Sequence, residues 1–109
     1  AQTVRRLMGR VTEDGGTGRR ARVPGYAVAG KTGTAQKPIP GGYSSTEHMA
    51  SFVGFLPVEQ PEIGVIVVVD NPQPLHTGGR VAAPAFSQIA GPAIRYLNVP
   101  GTDDMLAQR

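Results

Sequence analysis

The sequence contains no cysteine and no tryptophan, and its aromatics are three Phe and three Tyr. A disulfide scaffold and a cysteine-ligated zinc site are thereby excluded. Long apolar runs are missing too. The longest, Ile63 to Val69, is seven residues with one Gly inside it, far below the roughly 20 that a membrane helix needs. Leu, Ile, Val and Phe make up only 25 of the 109 residues, just above the level of about 20% below which chains fail to bury a core. No signal-peptide pattern opens the chain. It starts at Ala1 without Met, already inside an amphipathic pattern, and is expected to be a fragment.

Acidic residues are scarce in the first third. Residues 1–37 carry eight basic side chains against Glu13 and Asp14, whereas the remainder carries three basic and six acidic. Nucleic-acid binding is not expected, because the arginines are scattered over a helix and a loop with one Tyr and no aromatic platform. A solvated basic surface is the plain reading; a basic groove for an acidic substrate is the alternative. What the sequence has in abundance is Gly (15) and Pro (10), which predicts long loops and few regular elements.

Val4, Leu7, Met8 and Val11 keep the spacing of one helix face, and Asp14-Gly15-Gly16 should stop that helix. Gly25 to Thr34 reads as an extended segment, and Gln36 to His48 as a loop carrying Pro38, Pro40, Gly41 and Gly42. Met49–Leu56 and Ile63–Asp70 read as strands joined by a turn of hairpin length. The apolar continuity of Ile63–Asp70 suggests cover on both faces. A further loop spans Asn71 to Arg80. Val81 to about Leu97 keeps helical spacing, with Pro84 in the first turn and Pro92 expected to kink or split it near Gly91. The order predicts an α+β fold: an antiparallel meander of three strands with an N-terminal and a C-terminal helix on its faces.

Gly25-Tyr26-Ala27-Val28-Ala29-Gly30-Lys31-Thr32 matches the phosphate-loop pattern G-x-x-x-x-G-K-[ST] at every fixed position. That mechanism needs a buried strand before the first Gly and a helix starting at the Lys-Thr pair. Here Gly-Arg-rich sequence precedes it, and Gly33-Thr34 with Pro38 follow. Nucleotide binding is therefore the weakest alternative.

Lys31-Thr32-Gly33-Thr34 fits the end of a strand better. Alternation puts Thr32 and Thr34 on one face and Lys31 and Gly33 on the other. Two hydroxyls at an exposed edge, with an ammonium close by, make a receptor for a carboxylate. Gly33 leaves room for a peptide backbone alongside. A Lys-Thr turn on a surface strand explains the triplet equally well when it is taken alone.

The wider series is more specific. It comprises Gly-Gly-Thr-Gly at 15–18, Pro24 to Lys37, Ala50 to Pro57, Gly78-Gly79-Arg80-Val81-Ala82-Ala83-Pro84-Ala85-Phe86 and Tyr96 to Pro100. Over nearly its whole length the chain resembles the C-terminal part of the transpeptidase domain of class B penicillin-binding proteins, closest to the cell-division type. The resemblance implies acyl transfer in peptidoglycan synthesis. The serine of an S-x-x-K motif attacks the D-Ala-D-Ala end of a stem peptide, a second strand's amine takes the acyl group, and β-lactams stall the same serine. It implies that Lys31 sets site electrostatics and proton traffic, that Thr32, Gly33 and Thr34 contact substrate, and that the Thr34 amide supplies half of an oxyanion hole. It implies no metal and no cofactor. The partners it implies are stem peptides, β-lactams, the N-terminal part of the same domain and other cell-wall synthesis proteins. The implied location is the outer face of the bacterial cytoplasmic membrane, with an anchor outside this chain. Residues 1–109 would be the C-terminal portion of the domain, and about 98–109 its tail.

The chain departs from the pattern in one respect. Of its serines, Ser44, Ser45, Ser51 and Ser87, none has Lys three residues on, and no S-x-N triplet exists. The polypeptide alone is expected to be inactive. A serine β-lactamase or penicillin-sensing fragment and a non-catalytic interaction module are the other readings. His48 and His76 are expected at loop surfaces rather than on a metal. Tyr43 and Ser44–Thr46 are read as loop residues beside the cleft and minor candidates for substrate contact. Glu47, Glu59 and Glu62 are read as solvated loop charges.

Overall fold

The computed structural model describes residues 1–74 and 77–101. Helix α1 (Gln2–Gly9) runs into a 3-10 turn at Arg10–Thr12, and a second 3-10 turn occupies Arg19–Ala21. Strands β1 (Ala29–Ile39), β2 (Gly42–Leu56) and β3 (Ile63–Asp70) follow, then helix α2 (Gly78–Tyr96). The sheet is antiparallel in the order β1-β2-β3, the expected α+β meander.

The core lies between the sheet and α2. Phe52 and Leu56 of β2 meet Ala82, Ala83, Phe86, Ala90 and Ile94 of α2, with Val23 and Val28 closing one end. The rings of Phe52 and Phe86 pack edge to face with centroids 4.9 Å apart. Glycines make the room. A Cβ on Gly18 would lie 2.7 Å from Phe52 Cε2; on Gly30, 2.8 Å from Phe52 Cε1; on Gly54, 2.9 Å from both rings. Such separations are closer than carbon atoms tolerate, so Gly18, Gly30 and Gly54 together form the seat of the Phe52 ring.

Several expectations require correction. Gln36–His48 is not a loop: β1 continues to Ile39 and β2 starts at Gly42, leaving only Pro40 and Gly41 as the turn. Pro38 is tolerated because β1 is an edge strand and the register shifts between Gln36 and Pro38. The Lys37 ammonium reaches the Asp70 carboxylate at 2.6 Å, tying this arm to the end of β3. Its hydrogen bond to Asp70 holds Lys37 above the ordinary lysine value. At the other end, Pro24 and Gly25 form a turn closed by a Val23–Tyr26 bridge, and Tyr26–Val28 leads into β1, which begins at Ala29 rather than Gly25.

β3 is covered on one face only. Val65, Val67 and Val69 pack against the core, while Ile66 is 71% and Val68 55% exposed. Continuous apolar character therefore did not mean two covered faces within this chain. The stripe on α1 is likewise open, with Val4 58% and Leu7 56% exposed; Val4 and Met8 line a shallow groove with Phe55 and Pro61. Helix α2 starts three residues earlier than expected, so Pro84 lies in its second turn, and it continues through Pro92 to Tyr96. Each of the two interior prolines, Pro84 and Pro92, costs about 3 kcal/mol. Burial of Phe86 and Ile94, about 1.5–3 kcal/mol each, with Ala82, Ala83, Ala90 and Gly91 also buried, works against that cost. Among the described residues, no helix is long and apolar enough to cross a membrane.

Phe52→Ala should lower unfolding free energy by about 3–5 kcal/mol through the cavity it leaves. Gly30→Ala should lower it by about 1–3 kcal/mol by overpacking the ring. Gly64→Ala, where the nearest atom to a new Cβ is the Gly54 carbonyl oxygen at 3.6 Å, should be close to neutral. Urea denaturation of the three variants measures the series, and equal losses at positions 30 and 64 would remove the seat argument.

Candidate functional site

The seat of Phe52 fixes where β1 begins, and residues 31–34 follow directly from it. Thr32 pairs with Phe52 and Thr34 with Ala50 across the ladder. As alternation requires, Thr32 and Thr34 line one groove and Lys31 does not. The groove has a volume of about 480 Å³, within the range of about 300–1,000 Å³ typical of small-molecule clefts. Its walls come from three places: the Gly16–Arg20 loop, the β1 edge and the first turn of α2.

Close backbone approach brings the helix to the strand. A Cβ on Gly78 would lie 2.6 Å from the Gly33 carbonyl oxygen and 3.0 Å from its nitrogen. Only glycine lets α2 start there. The Gly78 N–H donates to Thr34 Oγ1 at 3.0 Å. Because that oxygen accepts, the Thr34 hydroxyl proton stays available for a ligand. Thr32 Oγ1 donates to Thr17 Oγ1 at 3.3 Å, which leaves the Thr17 proton available in the same way. The exposed Lys31 ammonium donates to the Thr32 carbonyl at 2.8 Å. No carboxylate lines the groove among the described residues, so nothing there competes with an incoming anion.

Of the four residues that sequence reasoning grouped, Thr32 and Thr34 line the groove, while Lys31 and Gly33 are not among its lining. Sequence reasoning missed Thr17, Arg20 and Arg80, which also line the groove. Their motifs, Gly-Gly-Thr-Gly and Gly-Gly-Arg, are visible in the sequence, but no spacing says that they meet Thr32 in space. The remaining candidates fall elsewhere. Tyr43 and Ser44–Thr46 sit on the β2 arm, where the Ser44 hydroxyl accepts from the amides of Thr46 and Glu47. His48 lies on β2 rather than in a loop, and Glu47 beside it. His76 lies outside the described residues, as do residues 102–109 of the expected tail. Glu59 is half-buried, with Oε2 unpartnered, against the expectation of a solvated charge. It lines a separate cavity of about 670 Å³ with Arg6, Arg10 and Arg22, which holds none of residues 31–34.

Residues 1–91 match the penicillin binding protein transpeptidase domain. The chain is 42% identical over 108 residues to the probable peptidoglycan D,D-transpeptidase PenA of Neisseria gonorrhoeae, covering 98% of this chain and 19% of that protein. It is 38% identical over 99 residues to the peptidoglycan D,D-transpeptidase FtsI of Escherichia coli K12, covering 90% of this chain and 17% of the relative. Among solved structures, the transpeptidase domain of Burkholderia pseudomallei penicillin-binding protein 3 superposes with a TM-score of 0.82 at 45% identity, over 93% of this chain and 31% of that one. The chain thus spans about a fifth of the curated relatives it matches. With the sheet, the helix and the sequence in agreement over this length, the chain belongs to the penicillin-binding protein transpeptidase family.

Proposed function

We propose that this chain supplies the carboxylate-holding wall of a serine D,D-transpeptidase, as the C-terminal portion of its catalytic domain. The observation that carries the reading is the groove itself: hydroxyl protons at Thr34 and at the Thr32–Thr17 pair, available to an anion, with no acid among its described lining. Thr34, and Thr32 once its hydroxyl turns from Thr17, hold the terminal carboxylate of a D-Ala-D-Ala stem peptide through charge-assisted hydrogen bonds. Gly33 lies between them with no room for a side chain, since a Cβ there would lie 2.5 Å from Ser51 Oγ. Lys31, whose ammonium is exposed, turns from the Thr32 carbonyl to set the field and proton traffic at the reacting bond.

The nucleophilic serine belongs to the rest of the domain. Its oxygen attacks the carbonyl of the penultimate D-Ala, and the Thr34 amide donates to the oxyanion that forms, a contribution of about 3–4 kcal/mol in comparable hydrolases. The terminal D-Ala leaves as an amine, and the amine of a second stem peptide takes the acyl group. A β-lactam opened by the same serine leaves an acyl-enzyme in its place. Such a reaction belongs to the outer face of the bacterial cytoplasmic membrane, alongside other cell-wall synthesis proteins.

Two measurements follow. Incubated alone with a fluorescent penicillin, the 109-residue chain should acquire no covalent label, since none of its serines has the lysine partner that activates one; stoichiometric labelling of Ser44, Ser45, Ser51 or Ser87 would overturn the assignment. In the complete domain, Thr32→Val should slow acylation by penicillin roughly 10- to 100-fold, the loss of one hydrogen bond of about 1.5–3 kcal/mol to a charged group. Thr34→Val should do the same and also free the Gly78 amide, so Thr34→Ser is its control and should retain most of the rate. A β-lactam analogue lacking the carboxylate should show much smaller differences. Equal losses with and without the carboxylate would mean that these threonines shape the strand and bind nothing.

A further inference from the structure

Thr17 reaches the groove on a loop whose backbone is fixed on both sides of it. The Gly16 amide donates to the Glu13 carbonyl at 2.9 Å, and the Gly18 amide donates to the Val11 carbonyl at 2.8 Å. Gly18 is wedged under the Phe52 ring and against Val11. From the other side the start of α2 closes on the loop, since a Cβ on Gly79 would strike the Thr17 carbonyl oxygen. Held in this way, the Thr17 hydroxyl stands 3.3 Å from that of Thr32, a residue 15 positions away on a different element. Both side chains are β-branched and therefore stiff at χ1.

A threonine hydroxyl has one proton and two acceptor lone pairs. The Thr32 proton is directed at Thr17, so Thr32 cannot donate to a carboxylate and to Thr17 at once. When the carboxylate takes the Thr32 proton, the Thr32 oxygen still has a lone pair to offer Thr17. Rotation of two hydroxyl hydrogens then reverses the bond without moving either oxygen. We infer that Thr17 is a positioning residue for substrate binding: as Thr32 turns its proton to the carboxylate, Thr17 donates to Thr32 Oγ1, and a chain of hydrogen bonds runs from Thr17 through Thr32 to the anion. Each link in such a chain polarises the next, and the Thr17 bond keeps Thr32 in the rotamer that faces the groove. The inference rests on the reading of Thr32 given above and adds the residue that orients it. It gives the Gly-Gly-Thr-Gly loop a part in acylation without contact between Thr17 and substrate.

The test is a double-mutant cycle in the complete domain. It is read as the second-order rate of acylation by penicillin and by a β-lactam analogue lacking the carboxylate. Thr17→Val should slow acylation by penicillin roughly 3- to 10-fold, the loss of one neutral hydrogen bond, and should leave the rate with the analogue nearly unchanged. Thr17→Ser, which keeps the hydroxyl, should retain most of the rate with penicillin. In the Thr32→Val background, Thr17→Val should cost little more, because the chain is already cut. Losses that multiply in the double variant would mean that Thr17 meets the carboxylate by itself, and the relay would be overturned. Equal losses with both compounds, or a Thr17→Ser variant as slow as Thr17→Val, would mean that the loop serves only as a wall, and would overturn it as well. If Thr32→Val shows its carboxylate-dependent loss and Thr17→Val shows none, the carboxylate reading stands and this inference falls. If Thr32→Val shows no such loss, the carboxylate reading falls and takes this one with it.

Discussion

The Phe52 ring and the three glycines around it set the positions of everything that matters for the site. Phe52 sits on the central strand, with Gly54 two residues on in the same strand, Gly30 across the ladder and Gly18 in a loop from a different part of the chain. Two of the glycines also border residues of the groove strand and loop. Gly18 follows Thr17, Gly30 precedes Lys31, and on the far side of the ring Phe86 anchors α2, whose first turn carries Gly78 and Arg80. Packing one aromatic side chain therefore places three separate walls of one groove. Because interiors are close-packed and give little, a shift of the ring would move all three walls together.

The second constraint is the contact of α2 with the strand. Gly78 rests on the backbone of Gly33, and its amide is bound by Thr34. Bare backbone on both sides brings the helix start close enough for one threonine hydroxyl to accept from the helix while it lines the groove. This economy gives Thr34 a structural duty that Thr32 lacks. Thr32 answers to Thr17 instead, a residue held by the loop that Gly18 pins beneath Phe52.

The sheet, its order and the strand position of residues 31–34 were legible in the sequence, because periodicity and the absence of a helix signal after Lys31 are local properties. The Gln36–His48 stretch misled because proline and glycine were counted as loop formers without regard to position. Pro38 occupies an edge strand at a register shift, where a missing amide hydrogen leaves no partner unsatisfied. Pro92 does not split α2, whose buried face carries the helix through it. In β3, Ile66 and Val68 look like core residues in sequence but face outward in this chain, and apolar character alone cannot say which chain covers a face. Thr17, Arg20 and Arg80 lie 15, 12 and 48 positions from Thr32. Their convergence is a tertiary fact with no periodic trace.

The phosphate-loop pattern at residues 25–32 shows how a motif can be satisfied by unrelated constraints. Gly25 has φ +86° and makes the turn before β1, so it is glycine for conformational reasons. Gly30 has ordinary extended backbone and is glycine because Phe52 occupies the place of its side chain. Lys31 and Thr32 continue a strand, so their amides belong to a β-ladder setting and do not form the open N-terminal turn of a helix around a phosphate. Four residues separate the two glycines because a turn and a short approach must be crossed between Pro24 and the ring. A spacing identical to that of a nucleotide loop thus arises from one turn and one packing contact. Strand alternation turns Thr32 and Thr34 into the groove, which the glycines alone do not determine.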